Sequence, residues 1–507
     1  MSHTLDYLRR QAKTLKKAFA RGETQAQERV WTVHPGLAAL KHSQALHVIA
    51  RENGYSSWPR LKLAFDLRSM DRNQKADRLK FALYLGQARV VEDLLDDDPT
   101  LRTANFGLIC ALYNVDGVRE ALARTPEIAT ALVGVRSPLL HLTFSKYHQI
   151  APDRAGDAIT VAELLVKAGA NVNDAYPSTP ESQHQLSALY GALGHAGHVA
   201  LAEWLLENGA SPDDNESLYH ATELGHLDGV KLMMRHGAKT KGTNALARML
   251  DFDDLEGAKL FLEYGADPNE AVLDHPSGEP IPTIPALHQA ARRGRDGRFA
   301  DLLLSYNADP NLIWYDHHAY VLARMYGNTS FSTAMERAGV TAQLDEIEQI
   351  FADCADGKAI EQDCLKGRAL TDEQRRLLTR IILMPERFEH AQLLVHAGLD
   401  PSVPEEMDMP PFHLAGWAGL SEQFSWLMTL SPKLDHVNAY GGDIIGTIIH
   451  GSENRLDVEE RDHVGCLRVA LAAGVPVHRR ELQSALHEDI IGVLTDHLED
   501  NPEKLVE

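Results

Sequence analysis

The sequence predicts an all-α solenoid of about 11–12 helix pairs, preceded by a small helical module. Three observations lead to this fold class. One phrase, an apolar helical stretch that ends in Gly-Ala and a polar turn, recurs along the chain. A second phrase, a short helix of small residues, precedes most of its copies. Hydrophobic residues make up 44% of the chain and aromatics only 7%, which favours small residues packed between helices.

The first phrase has the physical features of an amphipathic helix with a glycine stop. Leu, Val and Ala at positions i, i+3 and i+4 form one apolar face. The glycine that follows tolerates the left-handed conformation of a helix C-terminus, and Asp-Pro or Asn then carries the chain into a turn. Its copies occupy 161–173, 201–213, 230–241, 258–269 and 299–311, with weaker copies at 391–402 and 467–477.

The second phrase predicts a short helix that lies close to its neighbours. In 285–295, Ala286, Leu287, Ala290 and Ala291 are small or apolar at helical spacing. Its other copies occupy 187–198, 217–226, 244–254 and 410–420.

Together the two phrases resemble the ankyrin repeat, with the strongest match over 187–311. Tyr219, His288 and His413 take the place of the motif histidine, and His198 and His226 follow the motif glycine. The resemblance implies that these histidines bind backbone groups. It also implies a non-catalytic scaffold that binds a protein partner.

Repeat length departs from the ankyrin pattern of about 33 residues. Gly209, Gly237 and Gly265 are 28 residues apart, which predicts shortened hairpins between these units. Other units are longer, and we expect their extra residues to form loops at 146–156, 175–186 and 270–285. The predicted array is 77–507, clearest in 137–311 and degenerate in 312–507, where 340–475 resembles large bacterial ankyrin proteins.

Residues 1–76 form a basic head on an acidic chain. The net charge is −22, yet residues 1–80 carry 16 Lys and Arg against 7 Asp and Glu. We expect an amphipathic helix over 5–21, then a helix capped by Ser43 and ended by Gly54, then a helix capped by Ser57. This arrangement resembles a small module at the N-terminus of bacterial ankyrin proteins and of some glyoxalase-related proteins.

Two roles are open for the head. Solenoids need end caps, so Tyr55 and Trp58 are expected to pack onto the unit at 78–99. Alternatively, the two helices around Gly54 contact DNA or RNA, which would make the chain a nucleic-acid-associated regulator. A salt-dependent gel shift separates the two roles.

Catalytic and metal-binding patterns are absent from the sequence. Cys110, Cys354, Cys364 and Cys466 show no CxxC spacing, and no phosphate loop, nucleophile elbow or HExxH is present. The adjacent His317 and His318 point in different directions, and the acidic run 251–256 is expected to decorate a solvated turn. We therefore expect no cofactor. The remaining enzyme alternative is a site hidden in 312–372.

The chain shows no secretory signal and no run of 18 apolar residues, so we expect a cytoplasmic, monomeric protein without a membrane partner. Its protein partner is expected on the concave surface, where first-helix positions are not required by the core. The anchors are centred on 248–293, and the loop 274–285 is expected to fold over a bound segment. These candidate partner-binding residues are His220, Glu223, Arg248, Asp251, Phe252, Gln289, Arg292, Arg293 and Trp417.

Overall fold

The computed structural model describes residues 4–271, 284–405, 407–454, 461–485 and 487–506. Helices make up 61% of the chain and strands are few, so the all-α prediction is confirmed. The chain forms two compact units. The terminal unit contains Met1–Lys62, Tyr315–Thr329 and Thr341–Glu507, and the central unit contains Leu63–Trp314 and Ser330–Val340. The predicted boundary at residue 76 stays a prediction.

The head contributes three helices to the terminal unit and begins a fourth that continues into the central unit. They are α1 (Leu5–Ala20), α2 (Thr24–Val33), α3 (His42–Glu52) and α4 (Trp58–Ser69). Leu8, Ala12, Leu15 and Phe19 are buried along α1, which confirms its predicted apolar face. Ser43 is not a helix cap, since α3 already begins at His42.

The central unit is a succession of short helices. They are α5 (Arg72–Leu85), α6 (Ala88–Asp97), α7 (Phe106–Ala111), α8 (Val115–Arg124), α9 (Pro138–Thr143), α10 (Tyr147–Ile150), α11 (Ala155–Lys167), α12 (Ala188–Tyr190), α13 (Val199–Glu207), α14 (Ser217–Ala221), α15 (Asp228–Arg235), α16 (Ala245–Asp251), α17 (Leu255–Glu263), α18 (Ala286–Arg292) and α19 (Gly297–Ser305). First helices contact first helices, as in α14, α16 and α18, and second helices contact second helices, as in α11, α13 and α15.

Glycine ends the second helices as predicted. Gly209, Gly237 and Gly265 have φ of 95°, 81° and 87°, in the left-handed region where a side chain would be strained. Asn307 takes the same place after α19 with φ of 63°, since Asn is among the few other residues that tolerate this region.

Two predicted loops are structured. Residues 146–156 contain α10, and the stretch 175–186 forms a hairpin in which β1 (Ala175–Pro177) pairs antiparallel with β2 (Gln185–Ser187). A full hairpin therefore accompanies the long unit, in agreement with its 40-residue spacing from Gly169 to Gly209. Most of the third predicted loop, 270–285, lies outside the described residues.

The terminal unit continues after the central repeats. Strand β3 (Ile313–Trp314) still belongs to the central unit. The terminal unit then contains β4 (His317–His318) and α20 (Ala319–Met325), and α21 (Thr329–Arg337) crosses the boundary between the units. The later elements of the terminal unit are α22 (Glu346–Ala355), α23 (Asp372–Ile381), α24 (Phe388–His396), α25 (Pro411–Ala418), α26 (Ser421–Thr429), α27 (Ile444–Asn454), α28 (His463–Ala472), β5 (Val477–His478), α29 (Arg479–Ser484), α30 (Glu488–Asp500) and β6 (Leu505–Val506). Strands β5 and β6 pair in parallel.

Within the terminal unit, the head packs against the last helix. His42 is buried, and a Cβ placed on Gly492 of α30 would lie 3.1 Å from the His42 Cβ. Lys16 Nζ lies 3.2 Å from Asp496, and Ser43 Oγ donates a 2.9 Å hydrogen bond to Asp489. The basic head therefore lies against an acidic helix at the other end of the sequence. The packing of Tyr55 and Trp58 onto 78–99 stays a prediction.

Short tight segments complete the fold. The 3₁₀ turns are Pro99–Thr103, Pro126–Ala129, Pro152–Arg154, Pro385–Arg387 and Pro502–Lys504, and Gly191–His195 is a π-helix directly after α12. Within the described ranges, no helix is both long and apolar enough to cross a membrane.

Candidate partner-binding surface

Charged side chains on three successive first helices of the central unit form one network. Glu223, just after α14, accepts a 2.7 Å hydrogen bond from Arg248 Nη2 of α16. Asp251, at the end of α16, accepts a 2.7 Å hydrogen bond from Arg293 Nε and a 2.5 Å bond from the Gln289 amide of α18. Because α14 contacts α16 and α16 contacts α18, these hydrogen bonds form one network across three successive repeats.

His220 closes the network at the α14 end. Its Nε2 lies 2.9 Å from Glu216 and its Nδ1 lies 2.8 Å from Glu223. Burial alone would lower the pKa of His220, but the hydrogen bonds to the two carboxylates outweigh it and raise the pKa to about 9. His220 is therefore a cation at neutral pH.

An aromatic platform lies beside these charges. The Arg248 guanidinium carbon is 4.6 Å from the centre of the Phe252 ring and 5.5 Å from that of Tyr219. Phe252 is 47% exposed, and Arg293 is half-exposed. Stacking a cation on an aromatic ring orders both groups, so Phe252 offers solvent a fixed apolar face. We call Glu216, His220, Glu223, Arg248, Asp251, Phe252, Gln289 and Arg293 the 216–293 surface.

The structure brings most of the predicted residues together and corrects others. Gln289 is buried, because its amide is used to bind Asp251, so it does not face solvent as predicted. Arg292 is only partly exposed. Trp417 belongs to the terminal unit, where its carbonyl accepts a 2.9 Å bond from His463.

The acidic run 251–256 holds the repeats rather than only decorating a turn. Asp254 Oδ1 accepts a 2.8 Å bond from Gly257 N and caps α17, and Asp253 lies 3.0 Å from Arg295. The residue that the sequence did not single out is Glu216, which is buried between His220 and His184. In the sequence, its position directly before α14 is the one feature that distinguishes Glu216 from a solvent-exposed carboxylate.

A second candidate site, which the sequence did not indicate, is a cavity of about 390 Å³ in the central unit. Its walls come from α5, the end of α7, the turn 133–136 and α9, followed by Phe144 and Ser145. The turn is tight, with a 2.9 Å bond from Val133 N to the Arg136 carbonyl and a glycine of φ 73° between them. We call this cavity the Arg136 pocket.

Three rings surround the Arg136 guanidinium. Its central carbon lies 4.9, 4.7 and 4.5 Å from the ring centres of Tyr84, Phe144 and Tyr176, and its Nη2 donates to the Tyr176 hydroxyl. Within the described ranges, no carboxylate lies within ion-pair distance of Arg136. Burial lowers the pKa of the nearby His141 to about 4, so that ring is neutral at physiological pH.

The π-helix supports this cluster from behind. A Cβ on Gly191 would lie 2.6 Å from the Phe144 ring, and His195 stacks on Tyr84 with 3.9 Å between ring centres. The absence of a side chain at Gly191 lets the helix approach the ring. Short π-helical segments are rare and occur frequently at functional sites, so this segment draws attention to the pocket beside it.

Comparison with known proteins identifies the repeats. The family model for ankyrin repeats matches residues 188–272 as three copies, so this stretch of the all-α chain contains ankyrin repeats. A search of curated proteins finds no matching relative. Among solved structures, the human ASB11 ankyrin repeat domain is 18% identical, with a TM-score of 0.35, over 48% of this chain and 100% of that one.

Proposed function

We propose that this chain is a non-catalytic scaffold that binds a protein partner through the 216–293 surface. Ankyrin repeats are generally protein-interaction modules, and this surface lies within the stretch that matches their family model, with its last helix just beyond. The observation that carries the proposal is Phe252, an aromatic side chain that is 47% exposed and held beneath Arg248.

The geometry favours recognition of a protein segment that combines apolar and charged groups. An ordered ring presents apolar area at a low cost in side-chain entropy, and Arg293 and Arg248 supply directional donors next to it. Aromatic and arginine side chains are the usual energetic anchors of interfaces. Since the charges already pair with one another, a partner would meet a surface that needs little rearrangement.

The test places a photo-crosslinking phenylalanine analogue at position 252 of the full chain in its host cell. Position 264 is the matched control, because Tyr264 is similarly exposed, at 49%, but follows a second helix. We expect a discrete partner cross-linked from 252 and not from 264. With that partner purified, Phe252→Ala combined with Arg293→Ala should weaken binding by at least about tenfold, whereas Tyr264→Ala should not. Identical products from both positions would contradict the proposal.

The nucleic-acid alternative receives less support. Several cations of the head already have acidic partners: Arg9 pairs with Asp6, Arg21 with Glu23, and Arg29 makes two 2.8 Å bonds to Glu52. As part of the same proposal, we place a monomeric chain in the cytoplasm of a bacterium. Its cysteines are free thiols and three are buried, which suits a reducing compartment.

A further inference from the structure

We propose that the Arg136 pocket is a second binding site, which takes an acidic side chain of a protein partner together with an adjacent apolar side chain. This site is separate from the 216–293 surface, because none of the residues that line the pocket belongs to that surface.

The pocket carries a net positive charge. Asp77 and Lys80 in the wall pair with each other at 2.8 Å, and His141 is neutral, so the pocket carries the net positive charge of Arg136. Nε of Arg136 is buried without a hydrogen-bond partner and Nη2 is used by Tyr176, which leaves Nη1 to meet a ligand. A partly buried guanidinium gains most from a carboxylate, because its hydrogen bonds are then charge-assisted.

A second cation reinforces this polarity. Lys146 follows the lining residue Ser145, and its side chain lies against Gly86 at the end of α5. Burial lowers the pKa of Lys146, and within the described residues its ammonium group has no carboxylate partner. Arg136 therefore favours an anionic ligand over a neutral one, and Lys146 adds a positive charge outside the pocket wall.

The pocket also has an exposed apolar rim. Phe81 is 55% exposed and Val135 is 72% exposed, and both line the pocket. Leu85 and Leu132, on the same helix and next to the same turn, are also exposed. Contiguous exposed apolar area of this kind marks an interaction site, and a cavity of about 390 Å³ has room for a peptide side chain.

The test selects a displayed library of random twelve-residue peptides on the full chain. We expect the bound peptides to share Asp or Glu next to Leu, Ile, Met or Phe. Val135→Asp should weaken a selected peptide by at least about tenfold, because it adds a carboxylate at an exposed rim position without disturbing the core. Arg136→Gln should do the same, and Tyr264→Asp is the matched control that should not.

Other results would overturn the inference. Selected peptides without carboxylates, or binding that Val135→Asp leaves intact, would remove the acidic side chain as the ligand. If sodium acetate or inorganic phosphate alone displaced a selected peptide from the wild-type chain, the pocket would be a small-anion site. Binding of a labelled single-stranded oligonucleotide that Val135→Asp abolishes would assign the pocket to nucleic acid. Phe252→Ala should leave peptide binding unchanged, so this test and that of the 216–293 surface can fail separately.

Discussion

The central repeats and the degenerate helices of the terminal unit place their charges differently. In the central unit, Glu223, Arg248, Asp251 and Arg293 pair at the surface, above a core of Leu, Ala and Phe. Among the described residues, four carboxyl side chains are buried in the terminal unit, namely Glu348, Glu373, Asp443 and Glu481, against Glu216 alone in the central unit. In the terminal unit, where the repeat pattern is degenerate, buried polar networks join neighbouring helices.

The hydrogen bonds of His317 are an example of such a buried network. His317 Nδ1 lies 2.8 Å from Glu348 and Nε2 lies 2.9 Å from the Thr371 hydroxyl, so one buried ring joins the starts of α22 and α23. Glu348 also accepts a 2.9 Å bond from Asp345 N, and Thr371 caps α23. Burial would raise the pKa of Glu348, but its hydrogen bond to His317 keeps the pKa below the ordinary value. Both His317 nitrogens are thus engaged in the fold.

The largest effect that this comparison predicts comes from Glu348→Ala. Removing the carboxylate takes the partner from a buried His317 nitrogen and also removes the capping box of α22, which together should destabilise the terminal unit by about 3–4 kcal/mol. Hydrogen exchange should accelerate in α22 and α23, and the thermal transition of this unit should move down. Glu346→Ala on the same helix is the control, because its side chain is 73% exposed. An unchanged exchange pattern in Glu348→Ala would show that the buried network does not hold these helices.

The second prediction concerns the contact between the head and α30. Gly492→Leu places a branched side chain where His42 already lies, and overpacking of this kind typically costs about 1–3 kcal/mol. We expect limited proteolysis to cleave residues 1–62 faster in this variant. Gly492→Ala should be close to neutral, because its small clash is offset by the better helix propensity of alanine.

If instead the head is held mainly on 78–99, as the sequence predicted, Gly492→Leu would leave the cleavage rate unaltered. In that case, a chain that lacks residues 1–62 would show faster hydrogen exchange in α5 and α6 than the full chain. The two variants therefore decide which contact stabilises the head.

The sequence predicted the parts of the fold that depend on local pattern. The apolar face of α1 and the glycine stops at Gly209, Gly237 and Gly265 follow from spacing and backbone conformation alone. All residues of the 216–293 surface except Glu216 were predicted for the same reason, since repeated units place equivalent positions side by side. Whether a partner uses it stays a prediction.

Features built from distant segments could not be predicted. The rings around Arg136 come from α5, the residue after α9, and β1, and nothing in their spacing connects Tyr84 to Tyr176. His317 meets partners 31 and 54 residues away. The hairpin at 175–187 has the composition of a loop, and only the pairing of Ala175 with Ser187 makes it strand. Ser43 has the chemistry of a cap but is used to bind Asp489.

The smallest predicted effect is a pH dependence within the central unit. The pKa of His220 is raised from its ordinary 6.5 to about 9, so the folded state holds this proton more tightly than the unfolded chain. The stabilisation is then fully present below about pH 6.5 and is lost as the pH rises towards 9. Because the ring keeps some solvent contact, we expect a loss of only about 1–2 kcal/mol across this window, measured by urea unfolding of the central unit.

His220→Gln should remove this slope, since glutamine can still donate to one carboxylate but does not titrate. His226→Gln is the matched control, because its ring is 47% exposed in the same repeat and the His220 network remains intact. If the same pH slope appears in the hydrogen exchange of α14 and α16 in the wild-type chain, it belongs to the His220 network. A wild-type stability that stays level from pH 6.5 to 9 would mean that Arg248 alone balances Glu223, and that His220 contributes to this surface by packing against Tyr190 rather than by charge.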